Sequence, residues 1–338
     1  MTQARGLIRS AGRASATLLI FALAIFALME LAPGDPMAQV PMTVPDEVKQ
    51  EMRRALGLDE PAHMRFGLWL WQLCVIEPLA GLDAVLGTQL SAGQPRILSW
   101  QARAPVMQIV ASHLPQTLWV VGLAYAVGVA IALPLGICQA WWRHSVFDRA
   151  GTALTMLAYS VPPFLSGVVL IAVFSVWLGW LPSIYDTTHE VRGWSDLWVQ
   201  ARQMILPVAV LAVQTTALIA RYTRAAVLEN LQMDHVRTAR SKGLSEAAVL
   251  ARHVLRQSMI PVVTVIALGL PQVFGGAVVT EQIFLVNGLG HLLISSIEAN
   301  DLPVVRTVTF LMAVLIVLAN LAADVTCRLL DPRIGAHD

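Results

Sequence analysis

Six stretches of this chain are apolar over lengths close to the roughly 20 residues a helix needs to cross a bilayer. They cover residues 14–31, 114–138, 152–178, 204–220, 259–280 and 304–323. Composition agrees with that reading. Of 338 residues, 56% are hydrophobic and only 13% charged, where a soluble domain carries about 25% charged residues. The expectation is an all-α polytopic membrane protein with six transmembrane helices.

Charge placement orients it. Most of the 23 Lys and Arg fall before the first span and in the segments after the second, fourth and sixth, the excess expected of cytoplasmic loops. Both termini are then cytoplasmic. A basic start followed by an apolar run also fits a signal peptide, but no small-x-small cleavage site follows residue 31, so the first run reads as an uncleaved span. Residues 33–113 read as a sizeable periplasmic insertion between the first and second spans. It holds an amphipathic helix candidate at 47–58, and Trp69, Trp71 and Trp100 suit a membrane interface. Its acids fit a solvated face or a partner protein.

The most informative polar stretch lies between the fourth and fifth spans, within 221–258. Across 232–261, Arg237, Arg240, Lys242, Arg252 and Arg256 face only Asp234 and Glu246. A short helix over 236–242 ends at Gly243, a C-terminal stop. Ser245 is an N-cap for a second helix, with Glu246 in its first turn where the helix dipole favours an anion. That second helix runs to Pro261 at the start of the next span. The product is a helix–glycine–helix elbow on the inner face.

No catalytic constellation is present. There is no phosphate-binding loop and no HExxH pair. The eight His are scattered, and three Cys give no disulfide framework. The cores assigned to the middle spans hold no ionisable residue, which argues against a proton-driven relay. Glu30 and Asp324, near span ends, pair locally or reach the interface. The polar residues at depth are Gln214, Thr215 and Thr216 on the fourth span and Gln272 on the fifth. They line a pathway or serve as interhelical hydrogen bonds of about 1 kcal/mol each. Pro162 and Pro163 break the third run, and the carbonyls they free need neighbouring helices or water.

Several motifs stand in order: Pro33-Gly34-Asp35-Pro36, the phrase at 56–61, Ser160-Val161-Pro162-Pro163-Phe164, Gly179-Trp180-Leu181-Pro182, the loop at 234–261, and residues 280–290. Together they resemble the permease subunits of ABC importers, in the dipeptide, oligopeptide and nickel branch. The family's Glu-Ala-Ala-x-x-x-Gly pattern reads here as Arg237, Thr238, Ala239 and then Gly243, and Asn287 stands where the family usually has Pro. Asn287 and Gly288 both tolerate the positive φ such a turn uses.

The resemblance implies a type I ABC importer permease fold. Residues 1–32 would be the cytoplasmic N-terminus and first helix, 114–327 a permease core, and 328–338 a cytoplasmic tail. It implies a second homologous permease, a periplasmic solute-binding protein, and two ATPase subunits that bind ATP and Mg. No cofactor is implied in this chain, and no nucleic acid. Arg237, Thr238, Ala239, Arg240, Ser241, Lys242, Gly243, Leu244, Ser245 and Glu246 would contact the ATPases. Thr238 and Ala239 are small enough for a groove, and Arg240 and Lys242 would bridge to partner acids. Such a chain sits in the bacterial inner membrane amid lipid and carries peptides or a similar small solute; relatives handle dipeptides, oligopeptides, nickel chelates, glutathione and opines. A stand-alone channel is the alternative reading, but it would show a filter or charge rings. A membrane-embedded enzyme would show a nucleophile or metal cluster.

Overall fold

The computed structural model describes residues 2–31, 45, 47, 50, 60–186 and 193–330. The motif at 33–36, most of the 47–58 helix candidate and of the phrase at 56–61, and the tail from 331 lie outside those residues. The described residues are helical apart from loops and one isolated bridge, Leu98 with Pro105.

Six helical stretches are long and apolar enough to cross a membrane. They belong to α1 (Thr2–Leu31), α2 (Ala62–Leu86), α3 (Val106–Trp141), α6 (Trp194–Leu231), α8 (Glu246–Phe284) and α10 (Leu302–Leu330). Between α3 and α6 lie α4 (Val146–Ser160) and α5 (Pro163–Trp177), a pair bent by 105°. The shorter α7 (Asp234–Ser241) and α9 (Leu289–Glu298) complete the set. Six single helices match the expected number, and the bent pair, if it crosses as one, makes seven; the membership differs. The expected third span is the bent α4–α5 pair, and α2 falls within the segment read as an insertion. That helix is the least apolar of the six, diluted by Glu77, Pro78 and Asp83. Its π-helical turn at Gln72–Ile76 lies just before Pro78, where the missing proline N–H would interrupt the α ladder.

The chain divides into two compact units. The first comprises the described residues of Met1–Gly12, Gln116–His291 and Leu315–Asp338. Its core is apolar side chains from α3, α6, α8 and α10, including Val120, Leu206, Leu211, Phe274, Phe284 and Ala319. Small residues let α3 and α6 meet almost backbone to backbone. A Cβ added at Gly128 would sit 2.7 Å from Thr215 Cβ, and one at Gly136 2.5 Å from the Ala220 carbonyl. Ala132, fully buried, fills the turn between them. Lipid supplies no hydrophobic drive between helices, so such close approach is how van der Waals packing holds them.

The bend between α4 and α5 follows from two prolines. Val161, preceding Pro162, is extended (φ −81°, ψ 122°), as the pre-proline clash dictates. Pro163 then starts α5. At the other end of α4, Ser145 caps the helix by accepting from the Asp148 N–H at 3.1 Å. The buried Asp148 carboxylate accepts from His144 N at 2.9 Å and takes Arg224 on α6 in two bonds of 2.6 and 2.9 Å. Pro261 does not end a helix: α8 runs through it and through Pro271.

The second unit comprises the described residues of Arg13–Pro115 and Leu292–Val314. Trp69 on α2 faces the protein interior and not the surface. It is buried, with its ring centroid 5.6 Å from Phe310, 6.2 Å from Phe66 and 6.3 Å from Phe26. Glu30 pairs with Arg65, the local pairing expected. Buried Glu77 takes Arg96 at 2.6 Å, and buried Asp301 accepts from Ser99 Oγ and from the N–H groups of Trp100 and Gln101.

Candidate functional site: a helical elbow and an uncharged cavity

The elbow lies in the first unit and has the geometry its sequence calls for. Gly243 is left-handed at φ +77°. Its N–H bonds the Arg240 carbonyl at 2.9 Å, while Leu244 N–H bonds that of Ala239 at 3.4 Å. These two bonds make a Schellman closure of α7. Ser245 Oγ then accepts from Ala248 N–H at 3.4 Å, opening α8. Across the turn, Arg240 donates two bonds to Glu246, at 2.8 and 3.0 Å. The carboxylate holds the guanidinium above the usual arginine range.

Two expectations change here. Arg240 is occupied within the chain instead of pointing free at an acid elsewhere. Ala239 is turned inward: with Val236 it packs on Val227, Val249, Val254 and Ala140. A helix of eight residues has one buried stripe, and positions three apart share it. The surface left to solvent is Arg237, Thr238, Arg240, Ser241, Lys242, Gly243, Leu244, Ser245 and Glu246, all exposed.

A cavity of about 430 Å³ opens among α3, α4, α5, α6 and α8. Its walls include Tyr125, Tyr159, Pro163, Gln214, Thr215 and Gln272, and no lining residue is charged. Three of the four polar residues singled out at depth are therefore in its wall. Thr216 is not; its hydroxyl donates to the Gly128 carbonyl at 3.1 Å, tying α6 to α3. Gln214 does two jobs. It lines the cavity, and its side-chain N–H bonds the Val161 carbonyl at 2.7 Å, at the proline break. Tyr125 donates to the Ile266 carbonyl, beside the turn of α8 that Pro271 interrupts. Arg221, one turn beyond the lining residue Leu218, lies 5.4 Å from the Tyr159 ring centre.

Sequence reasoning missed Glu281. It falls just past the expected fifth span (259–280), but it sits in the last turn of α8 and is fully buried. Thr117 Oγ donates to its carboxylate at 2.7 Å, and the N–H groups of Gly290 and His291 do so at 2.7 and 3.3 Å. Gly288 and Gly290 make room: a Cβ on the first would run into the carboxylate, and one on the second would sit 2.5 Å from Val278 Cα. The left-handed residue of this turn is Leu285 (φ 52°), not Asn287 or Gly288. The two glycines are thus required by space. An acid closely followed by two such glycines at the end of an apolar run was the available signal.

Residues 132–336 match the family of binding-protein-dependent transport system inner membrane components. A Brucella abortus protein carrying the name of a peptide transport system permease is 35% identical over 331 residues, 97% of this chain and 98% of the relative. The glutathione transport system permease protein GsiC of Salmonella typhimurium is 34% identical over 319 residues, 94% of each chain. The fold is also similar to that in inward-facing structures of the MetNI methionine ABC transporter, with a TM-score of 0.54 at 19% identity, covering 66% of this chain and 97% of that one.

Proposed function

We propose, because the chain belongs to the family of binding-protein-dependent transport system inner membrane components, that it is the ABC importer permease subunit through which peptides or a similar small solute cross the bacterial inner membrane. The observation that carries this reading is the match to named transport permeases over nearly the whole chain. The uncharged cavity supports the substrate class. Its Tyr, Gln and Thr side chains offer adaptable donors and acceptors to peptide groups and bind no fixed charge.

In this reading a second, homologous permease completes the path. Gln214, Thr215 and Gln272 face the solute, while Thr216 holds the wall together. Two ATPase subunits bind ATP and Mg, and this chain performs no hydrolysis. The exposed face of the elbow, from Arg237 to Glu246, meets those ATPases, and the inward Val236 and Ala239 carry their motion to α6 and α8. A binding protein delivers the solute from the periplasm, and both termini are cytoplasmic.

Purification of the tagged chain from its native membrane, with mass spectrometry of what accompanies it, tests the assembly. Two ATPases and a second permease are expected. A stable homo-oligomer that passes solute without ATP would overturn the proposal in favour of a channel. A cysteine at Ser183 should be labelled from the periplasm and one at Ser241 should not; the reverse would overturn the orientation.

A further inference from the structure

Within the second unit, three helices each present an aromatic ring and a charge about one turn apart or closer. These are Phe26 and Glu30 on α1, Arg65, Phe66 and Trp69 on α2, and Arg306 and Phe310 on α10. The rings stack around one point. Arg306 lies over two of them, its guanidinium carbon 5.1 Å from the Phe26 ring centre and 5.2 Å from that of Trp69. Aromatic faces attract a cation, but they do not neutralise it.

Glu30 is committed to Arg65. Among the described residues no carboxylate pairs with Arg306, and its Nε is buried without a hydrogen-bond partner. Arg65 Nε and the buried Trp69 Nε1 are likewise without partners. Two guanidiniums and one carboxylate leave one positive charge uncompensated, beside three N–H donors that nothing accepts. A cation within a membrane-spanning segment is retained only with a partner, and an orphaned buried donor costs about 1–3 kcal/mol. An anion with several acceptor oxygens would answer both deficits.

The surroundings narrow its source. Arg306 is the fifth residue of α10, and Glu30 is the penultimate residue of α1, so the cluster lies at an end of both spans. Helix α1 is bare of neighbours over much of its surface: Leu19, Leu23, Leu28 and Leu31 are 56%, 57%, 65% and 81% exposed. An oxyanion seat at the end of such an apolar span suits an amphiphile. We propose that Arg306, Arg65 and the Trp69 indole N–H hold the phosphate of an anionic phospholipid whose acyl chains lie along α1. The site is independent of what the permease transports.

The test titrates the purified importer complex with short-chain phosphatidylglycerol, short-chain phosphatidylcholine or inorganic phosphate and follows the unfolding midpoint. Phosphatidylglycerol is expected to raise it, with the other two doing little. Arg306→Gln should weaken that response at least about tenfold, the scale of one lost charge-assisted hydrogen bond. Arg306→Lys should fall between, and Arg103→Gln, at an exposed site, should respond as wild type. Equal responses to both lipids, an equal response to free phosphate, or an undiminished response in Arg306→Gln would each overturn the lipid assignment. Should Arg306→Gln not fold, mass spectrometry of the gently extracted wild-type complex decides. Retained phosphatidylglycerol supports the site, and its absence overturns it.

Discussion

The side-chain amide of Gln214 on α6 donates to the main-chain carbonyl of Val161 at 2.7 Å. Val161 is the residue at which α4 stops and the chain turns by 105° into α5. One glutamine thus both satisfies the break in a neighbouring element and contributes to the cavity wall.

Gln214→Leu keeps bulk but removes the donor. The Val161 carbonyl then lacks its partner, at a cost of about 1–2 kcal/mol. The expected result is a lower unfolding midpoint together with reduced uptake. Unchanged stability with reduced uptake would assign Gln214 to the solute alone.

Glu281→Ala should be more severe. It strands the Thr117 hydroxyl and the N–H groups of Gly290 and His291, an expected loss of about 3 kcal/mol or more. Glu281→Gln retains an acceptor oxygen and should lose less. Thermal unfolding of the two variants gives the order, and equal losses would show that charge alone matters.

The α3–α6 seam predicts a contrast between two glycines on one helix. Gly136→Leu drives a side chain into Ala220 and Thr223, whereas Gly122→Leu meets open space. The first should lose about 1–3 kcal/mol or fail to assemble, as overpacking does, and the second should fold normally. Yield and unfolding midpoint of the purified variants are the readout.

Gly243→Ala isolates conformation from contact, because a Cβ there meets nothing within 4 Å while φ is +77°. The cost is about 1–2 kcal/mol, expected as weaker ATP-dependent uptake with normal membrane insertion. Gly243→Asn should be milder, since Asn tolerates the left-handed region. Full uptake with Gly243→Pro would sink the coupling role.

The Arg240–Glu246 pair can be tested by exchange. Arg240→Glu alone should weaken co-purification of the ATPases, and the double exchange Arg240→Glu with Glu246→Arg should restore it. Failure of the exchange to restore it would mean that Arg240 instead meets an acid on a partner.

The elbow was legible because glycine, the serine cap and the early acid act locally. Each sets a dihedral or a hydrogen bond within a few residues. The six-helix count was legible from apolar run length, yet its membership was not. Helix α2 hides behind Glu77 and Asp83, which pair with Arg96 and with the Ser91 hydroxyl instead of breaking the helix. The inward Ala239 and the buried Glu281 depend on contacts between distant segments, such as Thr117 with Glu281, and single-sequence spacing carries no such information. The choice between liner and tie for Gln214 and Thr216 meets the same obstacle: Gln214 borders a cavity and also bonds the Val161 carbonyl, while Thr216 bonds the Gly128 carbonyl.

The double bond from Arg240 to Glu246 gives the elbow a mechanical character. The Schellman closure fixes one arm, the Ser245 cap fixes the other, and the ion pair braces the corner between them. A hinge free at its corner would absorb a push by bending. In the proposed importer a braced corner would behave as a bell crank: a displacement applied to α7 would reappear as rotation at the base of α8.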